Sequence, residues 1–223
     1  MPVIYMTDGQ NLFDEESTPY GCWNVIPAVE KEQKDTGFSA VIVGIDNGNV
    51  YRDSELTPKC IGEIQHREYF NDIFTPEGEV FDSFLMDTVI PYVENNFPVK
   101  KNKESVAVCG SSSGGLQAFF EGIEHSDKFS FVGALSPAFV VYKEDDWRAY
   151  FLSKVNDDMP YIYMYCGNAD PLEEILMQST EMMYDLLPET GYPYDRFNEI
   201  LLFENAHNEI FPDFLHTFLE KAR

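Results

Sequence analysis

One stretch, Ser105-Val-Ala-Val-Cys-Gly-Ser-Ser-Ser-Gly-Gly-Leu116, restricts what this chain can fold into more than any other. Val106 to Cys109 is a short apolar run of the kind buried in a parallel sheet, and Leu116-Gln-Ala-Phe-Phe120 has helix-compatible spacing. Between them, Gly110-Ser111-Ser112-Ser113-Gly114 must turn the chain sharply. Glycines on both sides relieve the crowding where a strand runs straight into a helix, so that Ser112 can project its hydroxyl above the sheet in the G-x-S-x-G pattern. At ordinary Gly and Ser frequencies such a pentapeptide arises by chance in roughly one chain in ten of this length. The order strand, turn, helix is what gives it weight.

The rest of the chain supplies a sheet for that turn to sit on. Residues 2 to 6 read as a strand running into the Asp8-Gly9-Gln10 turn, Trp23 to Lys34 as a helix, and Ala40 to Ile45 as a buried strand. Residues 46 to 79 form a long connection in which Arg52, Tyr69 and Phe70 are candidates to line a pocket. Phe81 to Phe97 has helical spacing with a kink expected at Pro91. After the central turn come a strand at Phe129 to Leu135, a helix at Asp145 to Leu152 and a strand at Tyr161 to Cys166 ending in the Gly167 to Asp170 turn. A helix at Pro171 to Leu187 and a last strand at Phe197 to Phe203 follow, with His207 in the loop beyond.

Alternation of this kind implies an α/β fold with a doubly wound, mostly parallel sheet, whose ligands bind beyond the carboxyl ends of the strands. Asp8, Ser112, Asp170 and His207 all fall there. Serine needs an adjacent base, and the base needs a carboxylate to hold its tautomer. The chain order Ser112, Asp170, His207 fits that scheme in its α/β-hydrolase form, with Glu173 and Glu174 close enough to replace Asp170 as the acid. His66, His125 and His216 are poorer bases, lying in a charged loop, at a helix end and on a helix. Backbone N–H groups of Ser113 and Gln10 are the expected oxyanion donors, and Asp8 is expected to organise its turn. Tyr20, Trp23, Tyr69, Phe139, Trp147 and Phe151 suggest walls for an apolar or aromatic acyl group.

Composition removes several partner classes. With 15 Lys plus Arg against 39 Asp plus Glu, a net charge of -24 disfavours nucleic acids and anionic membrane surfaces. The four cysteines show no CxxC pair and read as reduced thiols, with a Cys22–Cys60 bridge as the alternative. No metal-ligand spacing or phosphate-binding glycine loop is visible, so neither a cofactor nor a metal is expected. Without a signal-like start or a membrane-length apolar run, residues 1–223 are expected to form a single cytoplasmic domain.

Taken together, PVIYMTDGQNLFDE, GIDN with RDSELTP, GSSSGGLQAFF, ALSPAF, YCGNADP and AHNE resemble, in this order, the putative esterase family of α/β-hydrolases. These are relatives of siderophore esterases, feruloyl esterases and mycolyltransferases. The resemblance implies Ser112 as nucleophile, His207 as base, an acid in the Gly167 to Asp170 turn and Gln10 as an oxyanion donor. It also implies strands ahead of the first one here, and their lack would leave Ala40 to Ile45 as an apolar edge open to pairing in a homo-oligomer. The expected activity is serine carboxylesterase action on a small or aromatic acyl ester, carbohydrate-linked esters included. An acyltransferase of the same fold and a catalytically impaired binding or scaffold protein are the competing readings.

Overall fold

The structure is a computed structural model describing residues 1–14, 21–167, 171–201 and 206–223, the side chains of 206–209 excepted. Its centre is a five-stranded sheet of β1 (Val3–Thr7), β2 (Val41–Ile45), β3 (Val106–Ser111), β4 (Phe131–Leu135) and β5 (Tyr161–Tyr165). The spatial order is β2-β1-β3-β4-β5 and every pairing is parallel. Each strand except β2 is almost wholly buried, as a sheet with helices on both faces requires.

Strand alternation divides the core in two. Val3, Tyr5, Val106, Val108, Val132, Ala134, Ile162 and Met164 face one layer, and Ile4, Met6, Ala107, Cys109, Phe131, Leu135 and Tyr163 face the other. The second layer is covered by α1 (Val25–Thr36) and α8 (Ala206–Lys221), which pack on each other. The first is covered by α5 (Ser113–Glu124), α6 (Glu144–Lys154) and α7 (Pro171–Glu189). From β1 the chain moves outward to β2 and then crosses back over β1 to β3, so the topological switch lies between the carboxyl ends of β1 and β3.

The expected helix at Phe81–Phe97 is interrupted. It forms α3 (Gly78–Phe84), a π-helical turn over Leu85–Val89 and α4 (Ile90–Asn96), with Pro91 at the start of α4. Proline has no N–H to donate and its ring crowds the preceding turn, which widens ahead of it. The long connection also contains one short helix, α2 (Arg52–Glu55).

Two expectations need correction at the C-terminal end. Phe197 to Phe203 is not a sixth strand in its described part: it meets β5 through the isolated bridges Ile162–Phe197 and Tyr165–Leu201, and between them the Asn198 side-chain amide takes the Met164 N–H and carbonyl. His207 is not in a loop, because α8 already begins at Ala206.

β2 forms one edge of the described sheet, pairing only with β1. Beside it, Val41, Val43, Phe84, Val89, Tyr92 and Phe97 line an apolar groove of about 440 Å³. Among the described residues no helix is long and apolar enough to cross a membrane.

Candidate active site

The turn after β3 has the strained geometry that its sequence demands. Ser112 adopts φ 59° and ψ −125°, a combination non-glycine residues avoid. It is held there from both sides: its N–H donates to the Leu135 carbonyl at 3.0 Å, and its own carbonyl accepts from Leu116 at 3.0 Å and Ala138 at 3.1 Å. The flanking glycines are obligatory at this close approach. A Cβ on Gly110 would run into the Gly114 carbonyl and the Thr7 hydroxyl, and one on Gly114 would meet the same hydroxyl. Ser112 is half-buried, at the switch point, and immediately precedes the 12-residue α5.

Ser113 is the first residue of α5, so its N–H has no carbonyl partner within the helix and sits at the positive end of the helix dipole. Opposite it, the chain leaves β1 through Asp8 in the left-handed region (φ 56°, ψ 46°) and enters a single 3-10 turn over Gly9–Asn11 that carries Gln10. Both predicted oxyanion donors therefore stand on the two strands that meet at the switch.

A charged clamp joins these two turns. Arg52 donates from Nε to Asp8 Oδ1 at 2.7 Å and from an Nη to Asp8 Oδ2 at 2.8 Å, and the latter nitrogen also reaches the Ser111 carbonyl at 3.1 Å. Its other Nη lies 3.2 Å from Asp53 Oδ1, which accepts the Ser113 hydroxyl at 2.9 Å. Asn47 completes the ring: its side-chain amide donates to Asp8 at 2.5 Å and its N–H to Gln10 Oε1 at 3.2 Å. Arg52 is thus a support for the site and not the pocket residue expected. Asn47 and Asp53 were missed as site residues, although both lie in the GIDN and RDSELTP segments.

Of the proposed triad, only Ser112 has a described side chain. Asp170 lies outside the described residues, as does the His207 side chain; the His207 backbone stands in the first turn of α8. Glu173 is half-buried in the first turn of α7 with its carboxylate packed against Gly167, just past β5, whereas Glu174 is exposed. The other histidines are engaged elsewhere: His66 with Glu68, His125 with Asp82 and His216 with Glu32.

Most of the suggested pocket aromatics belong to the core. Trp147 is completely buried, donates to the Phe139 carbonyl at 3.0 Å, and packs with Phe119, Phe139 and Phe151, which are also inaccessible. Trp23 is buried in the opposite layer. Phe70 stacks on Phe74 at 3.9 Å and Tyr69 on His66 at 5.3 Å, while Tyr20 lies outside the described residues. Large aromatics at a helix period fill a core before they line a pocket.

A strained serine between strand and helix, at the switch point of a parallel sheet, defines the α/β-hydrolase class. The chain belongs to the putative esterase family, whose profile matches residues 1–176, a span that includes Gln10, Ser112, Ser113 and Asp170 and stops short of His207. It is 24% identical over 201 residues to the uncharacterized protein YbbA of Bacillus subtilis, covering 87% of this chain and 74% of YbbA. Its fold matches an enterobactin esterase from Shigella flexneri with a TM-score of 0.70 and 18% identity, over 99% of this chain and 50% of that one. The siderophore hydrolase EstA from Aspergillus nidulans matches with a TM-score of 0.69 and 20% identity, over 99% of this chain and 82% of that one. This chain thus spans about half the length of the enterobactin esterase.

Proposed function

We propose that this protein is a serine carboxylesterase in which Ser112 attacks the carbonyl of a small or aromatic acyl ester, carbohydrate-linked esters included. The observation that carries the reading is the strained Ser112 backbone: a conformation that costs on the order of 1–3 kcal/mol persists where surrounding structure enforces it, characteristically at a reacting group.

In this reading His207 takes the Ser112 proton as the hydroxyl adds to the carbonyl, and Asp170 steadies the imidazolium, with Glu173 the nearest alternative acid. The tetrahedral oxyanion is bound by the N–H groups of Ser113 and Gln10, whose turns the Asp8–Arg52 pair holds together. His207 then returns the proton to the leaving alcohol. Water, activated by the same base, releases the acid from the acyl-enzyme. A family profile for esterases and a fold shared with siderophore and ferulic acid esterases support this assignment over other chemistries of the α/β class.

Intact mass after treatment with a fluorophosphonate tests it. Folded wild type should gain one adduct, whereas Ser112→Ala and heat-unfolded wild type should gain none. Folded wild type left unmodified would overturn the reading.

A further inference from the structure

A second polar cluster lies between α3 and the C-terminal end of α5, the end opposite Ser112. Asp82 comes from α3, and Glu121 and His125 lie one turn apart on and just beyond α5. One ligating atom from each lies within 4.8 Å of the others. Glu121 is 0% exposed. Its Oε1 accepts from the Gln117 amide at 2.7 Å, and that amide is anchored in turn on the Gly78 carbonyl at 3.0 Å. Its Oε2 is buried and faces the Asp82 carboxylate, and no N–H or O–H donor among the described residues reaches it. Across from it, Asp82 Oδ1 and His125 Nε2 are 2.5 Å apart. Glu124 is not available to the cluster, because its carboxylate is taken by the Tyr150 hydroxyl at 2.8 Å and by Lys154 at 2.7 Å.

A buried carboxylate oxygen with no donor carries a desolvation cost that something must offset. We propose that Asp82, Glu121 and His125 form a site for a divalent metal ion, zinc being the best match, that ties α3 to α5. One imidazole nitrogen and two carboxylate oxygens suit zinc, which accepts both donor types at about 2.0–2.2 Å and completes its shell with water. With no thiolate in the set, soft cuprous ion is disfavoured, and the imidazole ligand selects against magnesium and calcium.

The two ends of the site divide the work. Glu121 is fixed by packing and by Gln117, so it provides the rigid ligand. The Asp82 and His125 side chains are 21% and 26% exposed and have room to open their mutual hydrogen bond around an ion. The sequence did not show the site because its ligands come from two helices far apart in the chain.

The test is titration of metal-stripped 223-residue protein with zinc and with cobalt(II), read by equilibrium binding, visible absorption and thermal melting. Wild type should take up one equivalent, show the d–d bands of a low-coordinate cobalt site and melt higher with zinc. Glu121→Gln and His125→Gln should weaken binding by more than the roughly 10- to 100-fold typical of losing a supporting residue. Ser112→Ala should bind like wild type, which separates this site from the esterase reading. His216→Ala should also retain uptake, excluding the surface pair with Glu32. Absence of saturable uptake by wild type would overturn the proposal. So would uptake unchanged in both Glu121→Gln and His125→Gln, which would mean adventitious surface binding only. A Glu121→Gln protein that melts higher while wild type ignores zinc would assign the cluster to a shared proton instead.

Discussion

Replacing Arg52 by Met tests whether the clamp, and not the turns alone, holds the site. Asp8 is only 6% exposed as a residue and accepts two charge-assisted bonds from Arg52, against a single bond from Asn47. Removing one partner of a buried ion pair typically costs about 3–5 kcal/mol, because the other charge is left without compensation. The Arg52 side chain is 26% exposed, so water recovers part of that loss and about 2–3 kcal/mol is expected. For a chain of this size each kcal/mol lowers the melting temperature by about 2–4 °C, which gives a fall of roughly 4–12 °C. Pairing Arg52→Met with Asp8→Asn removes the orphan charge while keeping a residue that tolerates the left-handed region, so the double variant should melt higher than Arg52→Met alone. If the two-turn clamp also positions the oxyanion donors, turnover of any accepted ester should drop toward the roughly hundredfold loss typical of a misplaced donor. Calorimetry on the four proteins of the cycle, with ester hydrolysis where measurable, decides the matter. A loss under about 1 kcal/mol for Arg52→Met, or a double variant no better than the single, would refute the reasoning.

The glycines flanking Ser112 should respond differently. Gly114→Ala meets the Thr7 hydroxyl, so adding Thr7→Ala should restore part of its melting temperature, whereas Gly110→Ala also strikes backbone and should not be rescued. Cys60 is exposed, yet burial around its thiol and the Glu79 carboxylate push its pKa up to about 12. Its alkylation should therefore be roughly a thousandfold slower at pH 8 than that of an ordinary thiol, and climb about tenfold per pH unit. A rate plateau below pH 10 would contradict this. Glu79 itself is held below the usual range: burial opposes its ionisation, but the N–H groups of Lys59 and Cys60 outweigh it. Its stabilising contribution is present above the ordinary glutamate value and is lost as pH falls through the lowered one, so Glu79→Gln should flatten the acid limb of a stability profile. We further expect two copies to pair along the β2 edge, since the adjoining groove bears no charge in a chain of net charge -24. Light scattering should give a dimer for wild type and a monomer for Tyr92→Glu, whose side chain lines that groove; a monomeric wild type would reject the pairing.

The sequence by itself determined the parallel sheet and the sharp turn that carries Ser112. Apolar runs such as Val106 to Cys109 can only be buried between two helical layers, and Gly110 and Gly114 allow a sharp turn nowhere else on that strand. The Asp8 turn and the helix at Pro171 were legible for the same reason, since the signals are local: a glycine, an N-terminal proline, a period. The missed features were nonlocal. That Arg52 would clamp Asp8, and that Asn47 and Asp53 would close the ring, depends on where a long connection with no periodicity is laid down. Trp147 and Phe139 were read toward the pocket because periodicity shows which residues share a face and not what covers it. The bridges at Phe197 and Leu201 fall short of a strand because pairing depends on a neighbour's register as well as on a run of β-prone residues. Charge partners, burial and edges belong to the tertiary structure, because each requires two segments distant in the chain to meet.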